Sequence, residues 1–306
     1  MSHHLVEARD LWFTYPDGTE ALRGVNFRIT HGESVAIVGS NGAGKSTLLQ
    51  HLNGCLMATR GEVRVGDFPL TRETLAAIRR TVGVVFQDPD DQLFMSTVFE
   101  DVAFGPLNAG LPPGEVEARA VAALERVGMP HLRERPPHKL SAGEKRAVAI
   151  ATVLAMSPDI LVMDEPSSNL DPRGRRRLIE LLRTFDHTKI IVSHDLEMVV
   201  ELCPRVIVLD GGAVAADGGT VEIFSDEPFM LAHGLERPHI LHHLHPHRGP
   251  TNSSRRVPED GQVMAGRPGE HKEMPHEVAE AKLFVDVKHH AHGVGEAAAS
   301  QPQEPR

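Results

Sequence analysis

Cysteine is nearly missing from this chain, with only Cys55 and Cys203 among 306 residues. Two unpatterned cysteines exclude a disulfide framework and a cysteine zinc site, and a reducing cytoplasm suits the chain best. Long apolar runs are missing too. No stretch approaches the roughly 18 to 20 residues that cross a bilayer, and Met1-Ser2-His3-His4 lacks the basic and apolar regions of a signal peptide. The chain is therefore expected to be soluble by itself, and any work at a membrane needs another chain to hold it there. Positive charge is in deficit, with a formal net charge of −10. That balance argues against a protein whose main task is to grip nucleic-acid phosphates.

What is present is most concentrated at Gly39-Ser40-Asn41-Gly42-Ala43-Gly44-Lys45-Ser46-Thr47, which follows the apolar run Val35–Val38 and leads into Leu48–Leu52. A buried strand, a glycine loop and a helix start are predicted. Gly39 and Gly44 stand at the G-x-x-x-x-G-K-[ST] spacing, so backbone N–H groups can turn inward around phosphate oxygens where side chains would block them. Lys45 adds a mobile positive charge, the helix N-terminus favours an anion, and Ser46 places a hydroxyl where a phosphate-bound Mg²⁺ would sit.

Around this loop the pattern alternates. Strands are predicted over 5–14, 25–29, 62–65, 82–86, 160–163, 190–192 and 206–209, and a helix over 71–80. Helices over 96–110, 115–128 and 144–156 form an amphipathic insertion between strands. A further helix after Pro172 carries Leu178, Leu181, Leu182 and Phe185 on one face. Short bounded apolar runs suit a sheet buried on both faces, so the fold class is α/β with a mainly parallel core sheet. After about Gly234 the pattern fails. Residues 248–306 are rich in Pro, Gly, Ser, Glu and His and are expected to stay disordered, with a transient helix over 276–290.

The run Ile160–Met163 ends in Asp164-Glu165, two carboxylates at the strand end where open α/β sheets bind ligands. Asp164 is placed to help hold Mg²⁺ with Ser46, and Glu165 to orient and deprotonate an attacking water.

Leu140-Ser141-Ala142-Gly143-Glu144 resembles the LSGGQ signature of ABC ATPases, and it lies ahead of Asp164 as that family requires. Ser168-Asn169-Leu170-Asp171 resembles the family's D-loop, His194 its switch histidine and Gln87 its Q-loop glutamine. Asp171 also suits a cap for the helix at Pro172. Ala142 and Glu144 depart from the signature, while Gly143 is retained. The resemblance covers roughly residues 5–235. It implies a P-loop ATPase domain over 1–235, with an antiparallel β subdomain, a helical subdomain at about 88–157 and a His-rich tail over 236–306. It also implies a head-to-tail dimer with two ATP molecules at the interface, where Lys45 and Ser46 of one subunit face Ser141 and Gly143 of the other. Tyr15, the sole tyrosine, would stack on adenine or else pack in the sheet. His194 would contact the γ-phosphate and the water, and Gln87 would link the Mg²⁺ region to whatever the helical subdomain touches.

Phe13–Gly18, His51–Gly54 and Phe86–Phe94 narrow the resemblance to the ATPase subunits of energy-coupling-factor importers, particularly the cobalt and nickel branch. That class implies a peripheral motor on the cytoplasmic face of the cell membrane. Its expected partners are a second ATPase subunit, a transmembrane coupling subunit and a substrate-binding membrane subunit, with no nucleic acid. A vitamin importer of the same class and a soluble non-transport ABC ATPase are the alternatives. Eleven of the nineteen histidines lie after residue 230, and imidazoles in a flexible segment can wrap Ni²⁺, Co²⁺ or Zn²⁺.

Overall fold

The computed structural model describes the backbone of residues 6–244 and side chains through residue 241. The tail 245–306, with its predicted helix over 276–290, lies outside the described residues, as do the side chains of His242 and His243. The chain opens with the antiparallel strands β1 (Val6–Thr14) and β2 (Glu20–Ile29). Asp17 Oδ1 accepts from the Thr19 N–H at 2.9 Å in the turn between them. β3 (Ser34–Val38) leads through the glycine loop into α1 (Lys45–Leu52). β4 (Arg60–Val65) and β5 (Phe68–Pro69) complete a four-stranded antiparallel sheet in the order β2-β1-β4-β5.

α2 (Leu75–Thr81) and β6 (Val82–Val85) follow, then the inserted helices α3 (Val98–Asn108), α4 (Pro113–Arg126) and α5 (Ala142–Leu154). The alternating pattern resumes with β7 (Ile160–Asp164), α6 (Pro172–Arg183), β8 (Thr188–Val192), α7 (Leu196–Leu202) and β9 (Arg205–Asp210). β10 (Ala213–Gly219), α8 (Thr220–Ser225) and α9 (Glu227–Ala232) close the order. The second sheet runs β10-β9-β3-β8-β7-β6, parallel throughout except for β10 on β9.

Side chains on a strand alternate between faces, and this sheet buries both. Val38, Met163, Ile191 and Val208 face a core shared with α3–α7. Ile37, Val162, Val192 and Leu209 face α1 and the antiparallel sheet. Apolar runs without polar alternation are what burial on both faces demands.

Several boundaries differ from the sequence reading for local reasons. β2 begins at Glu20, ahead of the predicted strand, because Thr14 pairs with Glu20 across the hairpin. α2 starts at Leu75 because Thr74 Oγ1 accepts from the Thr71 N–H at 3.0 Å, closing a turn before the helix begins. α5 starts at Ala142, with Ser141 as its cap. β10 has mostly small side chains that leave no apolar pattern, and its pairing with β9 is reinforced by Arg205, which pairs bidentately with Asp217 at 2.7 and 2.8 Å. The packed chain also continues past Gly234: Leu235 and Leu241 are buried, and Arg237 Nη2 donates to the Leu241 carbonyl at 2.9 Å.

Candidate active site

Adjacent parallel strands β3, β8, β7 and β6 deliver Gly39, Ser193, Glu165 and Phe86-Gln87 to one edge of the sheet, since each segment directly follows its strand. The register Ile37↔Val192 and Asp164↔Val192 ties three of these ends together. At Gly39 (φ 155) an added Cβ would collide with the Leu209 carbonyl oxygen. At Gly44 (φ 97) it would stand 2.5 Å from the Ala21 carbonyl oxygen. The loop can follow this path only because both residues lack a side chain.

Lys45 is buried, and its Nζ donates to the carbonyls of Gly39 and Ser40, both at 2.9 Å. Burial lowers its pKa, against the opposing pull of Glu165 and Asp164. Ser46 is exposed in the first turn of α1; the Asp164 pKa is raised by burial, with Ser46 among the groups that oppose the rise. A hydroxyl and a carboxylate near one another offer the hard oxygen ligands that Mg²⁺ takes. Tyr15 lies beside the loop helix, its OH 3.0 Å from Thr47 Oγ1 and its ring edge-on to Phe13 at 4.9 Å.

Glu165 sits in left-handed backbone (φ 45), a costly conformation for a residue with a side chain. Its N–H donates to the Val192 carbonyl at 2.8 Å. Oε2 accepts from the His194 N–H at 3.0 Å and from Ser193 Oγ at 3.4 Å. Oε1 is buried, has no hydrogen-bond partner among the described residues and lies 3.5 Å from His194 Nε2. Burial raises the Glu165 pKa, with Asp164 adding to the rise and His194 opposing it. One oxygen is anchored and the other is free to accept a proton, the arrangement a general base needs. The His194 side chain is 47% exposed, against 13% for Glu165, so the carboxylate forms the floor and the imidazole the rim.

Ser141 and Gly143 are not in this cluster. They line a separate groove of about 1090 Å³ with Asn169, Leu170 and Asp171, and residues 39–47 are absent from its walls. Ser141 and Glu144 form a reciprocal cap: Glu144 Oε2 accepts from both the Ser141 N–H and Oγ at 2.8 Å, and the Glu144 N–H donates to Ser141 Oγ at 3.4 Å. The acid at 144 thus has a local structural role. Asp171 caps α6, its Oδ1 accepting from the Gly174 N–H at 2.7 Å.

Two arginines escaped the sequence reading. Arg175 pairs bidentately with Asp195, next to His194, at 2.5 and 2.9 Å. Arg146 donates to the Phe86 and Gln87 carbonyls at 2.7 and 2.6 Å. A usable signal existed for Arg146, which shares a helix face with the buried Ala149, Ile150 and Val153. Arg175, in an arginine-rich helix, offered none.

The family model for ABC transporters matches residues 22–168. A putative ABC transporter ATP-binding protein of Geobacter sulfurreducens is 68% identical over 238 residues, 78% of this chain and 96% of its own. The chain belongs to the ABC transporter ATP-binding proteins. This ABC ATPase is also 46% identical to an energy-coupling factor transporter ATP-binding protein of Methanocaldococcus jannaschii, over 78% of this chain and 88% of the other. Among solved structures it is similar to cbiO1 of Clostridium perfringens, described as part of the ABC transporter complex cbiONQ. The TM-score is 0.68 at 40% identity, covering 78% of this chain and 98% of that one. An ATP-binding cassette solved as a dimer in a post-hydrolysis state with ADP and Pi gives a TM-score of 0.65 at 30% identity, covering 70% and 98%. ATP hydrolysis is thus the chemistry of this ABC ATPase family. Among the described residues no helix is long and apolar enough to cross a membrane.

Proposed function

We propose that this ABC ATPase is the motor subunit of an energy-coupling-factor importer, driving uptake of cobalt or nickel ions through separate membrane subunits. The free Oε1 of Glu165 carries the catalytic part of the reading. It takes a proton from the water whose oxygen attacks the γ-phosphorus, and ADP leaves. Gly39 to Thr47 cradle the phosphates, Lys45 neutralises their charge, and Tyr15 stacks on adenine. Mg²⁺, held by Ser46, Asp164 and Gln87, would neutralise charge on the phosphate oxygens. His194 orients the water from the rim. The site is completed by Ser141 and Gly143 of a second subunit, a reading supported by the groove around Ser141 and Gly143 having none of residues 39–47 of its own chain in its walls.

Docking of the membrane coupling subunit is supported by an exposed apolar patch on the helical insertion. Phe94 and Phe104 meet edge-on at 4.9 Å, and Phe94 and Leu107 are 62% and 59% exposed. So much apolar surface in one place marks an interaction site. The metal cargo is supported by the sequence strings shared with the cobalt and nickel branch and by the histidines after residue 230.

Uptake of labelled Ni²⁺ and Co²⁺ in cells expressing the full subunit set tests the reading. Uptake should require ATP and stop in Glu165→Gln. Recovery of ribosomes or DNA instead of membrane proteins from a mild-detergent pull-down would overturn it. Truncation to probe the tail should begin after Leu244, because Leu241 belongs to the packed core.

A further inference from the structure

Arg146 is 3% exposed, and among the described residues it makes no ion pair. Its Nη1 donates to the Phe86 carbonyl at 2.7 Å, and its Nη2 to the Gln87 carbonyl at 2.6 Å and to Ser168 Oγ at 3.2 Å. Nε is buried without a partner among the described residues. Desolvation lowers the guanidinium pKa, and Asp88 and Asp164 only partly oppose it. A buried charge satisfied by carbonyls and a hydroxyl is a poor way to stabilise a helix face whose neighbours are Ala149, Ile150 and Val153. Its three acceptors explain it better, since they belong to two loops that end at the catalytic edge.

The first loop, after β6, is fastened to α5 at further points. Gln92 Oε1 accepts from the Phe86 N–H at 3.1 Å, and its Nε2 donates to the Ala149 carbonyl at 2.8 Å and Thr152 Oγ1 at 2.7 Å. Lys145 pairs with Asp90 at 2.6 Å. The second loop, after β7, holds the strained backbone of Glu165. Both the Ser168 N–H and Ser168 Oγ donate to the Glu165 carbonyl, at 3.1 and 2.8 Å. Arg146 therefore grips the residue that clamps Glu165.

We propose that Arg146 is a positioning residue for ATP hydrolysis, locking Ser168 and the Gln87 loop onto α5 so that the pose of the helical insertion sets where the Glu165 carboxylate stands. This rests on Glu165 acting as the base. The brace joins the helix that begins at Ser141 to the proton acceptor within one chain. A shift of the insertion then changes the rate of the chemical step without touching the phosphate loop.

The test is steady-state hydrolysis by the full chain, expressed as kcat per bound nucleotide, with binding of a fluorescent ATP analogue and thermal unfolding measured alongside. Arg146→Lys keeps the charge but cannot reach all three acceptors, and Ser168→Ala removes the relay while leaving Arg146 in place. Each should lower kcat roughly 10- to 100-fold, the scale of an ångström-level misplacement, with KM and nucleotide affinity changed less than about 3-fold. The double variant should fall no further than the worse single one, because both break one connection. A purely structural role would lower Tm and leave kcat per bound nucleotide at the parental value. Parental kcat in both single variants, or losses that multiply in the double variant, would overturn the brace. Parental hydrolysis in Glu165→Gln would overturn the base assignment, and the brace with it. Loss of hydrolysis in Glu165→Gln beside parental rates in the two brace variants overturns the brace alone.

Discussion

The catalytic sheet edge and the helical insertion are secured in different ways. Gly39, Glu165 and His194 follow strands locked in parallel register, and backbone hydrogen bonds such as Glu165 N–H to the Val192 carbonyl fix their spacing. The insertion shares an apolar core with the sheet, but at that edge it is joined by long polar side chains, Arg146 and Gln92, with Lys145 pairing to Asp90 in the loop between. A ladder of backbone bonds yields only by unfolding, whereas side-chain bridges can be remade in another pose. In the proposed function proton transfer sits on the backbone-locked element, and the exposed patch around Phe94 and Phe104 lies on the element whose polar bridges can be remade.

The largest effect should come from the rigid region. Glu165→Gln keeps the shape and the anchored oxygen but removes the proposed proton acceptor. Hydrolysis should fall by about 10²- to 10⁴-fold, a barrier rise of roughly 3–5 kcal/mol, with ATP binding retained. Binding lost together with hydrolysis, measured with a fluorescent nucleotide, would mean that Glu165 holds the site together instead.

The next effect separates the two regions by stability. Gln92→Ala removes three hydrogen bonds, with the Phe86 N–H, the Ala149 carbonyl and Thr152 Oγ1, at a net cost of about 1–3 kcal/mol in urea unfolding. The loss should show as easier amide exchange in α5 with β3 and β8 unchanged. Equal loosening of both regions would erase the distinction.

A smaller effect depends on pH. Asp101 is buried in α3, its Oδ1 accepting from the N–H groups of Phe94 and Met95 at 3.0 Å while Oδ2 has no partner among the described residues. Burial raises its pKa above the unfolded value. The folded state then binds the proton more tightly, a contribution complete below the unfolded pKa and lost as pH rises through the folded one. Asp101→Asn lacks this component. The stability of the parent relative to Asp101→Asn should therefore decline as pH rises across that window, and a pH-independent difference would refute it.

The smallest effect belongs to Lys145→Ala. Its partner Asp90 is 63% exposed, so losing this ion pair should cost under about 1 kcal/mol in the same unfolding assay. A larger loss would promote this bridge to the rank of Gln92.

Much of the site was readable because its chemistry is local. The spacing from Gly39 to Ser46 describes one continuous loop, and Asp164-Glu165 ends one strand. The brace was not readable in that way. Arg146 and Ser168 are 22 residues apart and Arg146 and Phe86 are 60 apart, and no periodicity relates them. The same holds for β10, whose small side chains leave no pattern, and for Leu241, which is buried beyond the point where sequence periodicity stops.

By itself the sequence determined most of the segments that become strands and helices, since apolar spacing and glycine placement act on neighbours along the chain. It also marked Gly39 to Thr47 as the loop proposed to touch a nucleotide's phosphates. Only the tertiary structure decided that one Glu165 oxygen is anchored and the other free, that Ser141 opens on a groove away from its own phosphate loop, and that a buried guanidinium joins them. Those outcomes depend on desolvation and hydrogen-bond geometry between segments far apart in sequence, which exist only once the strands have paired and the helices have packed.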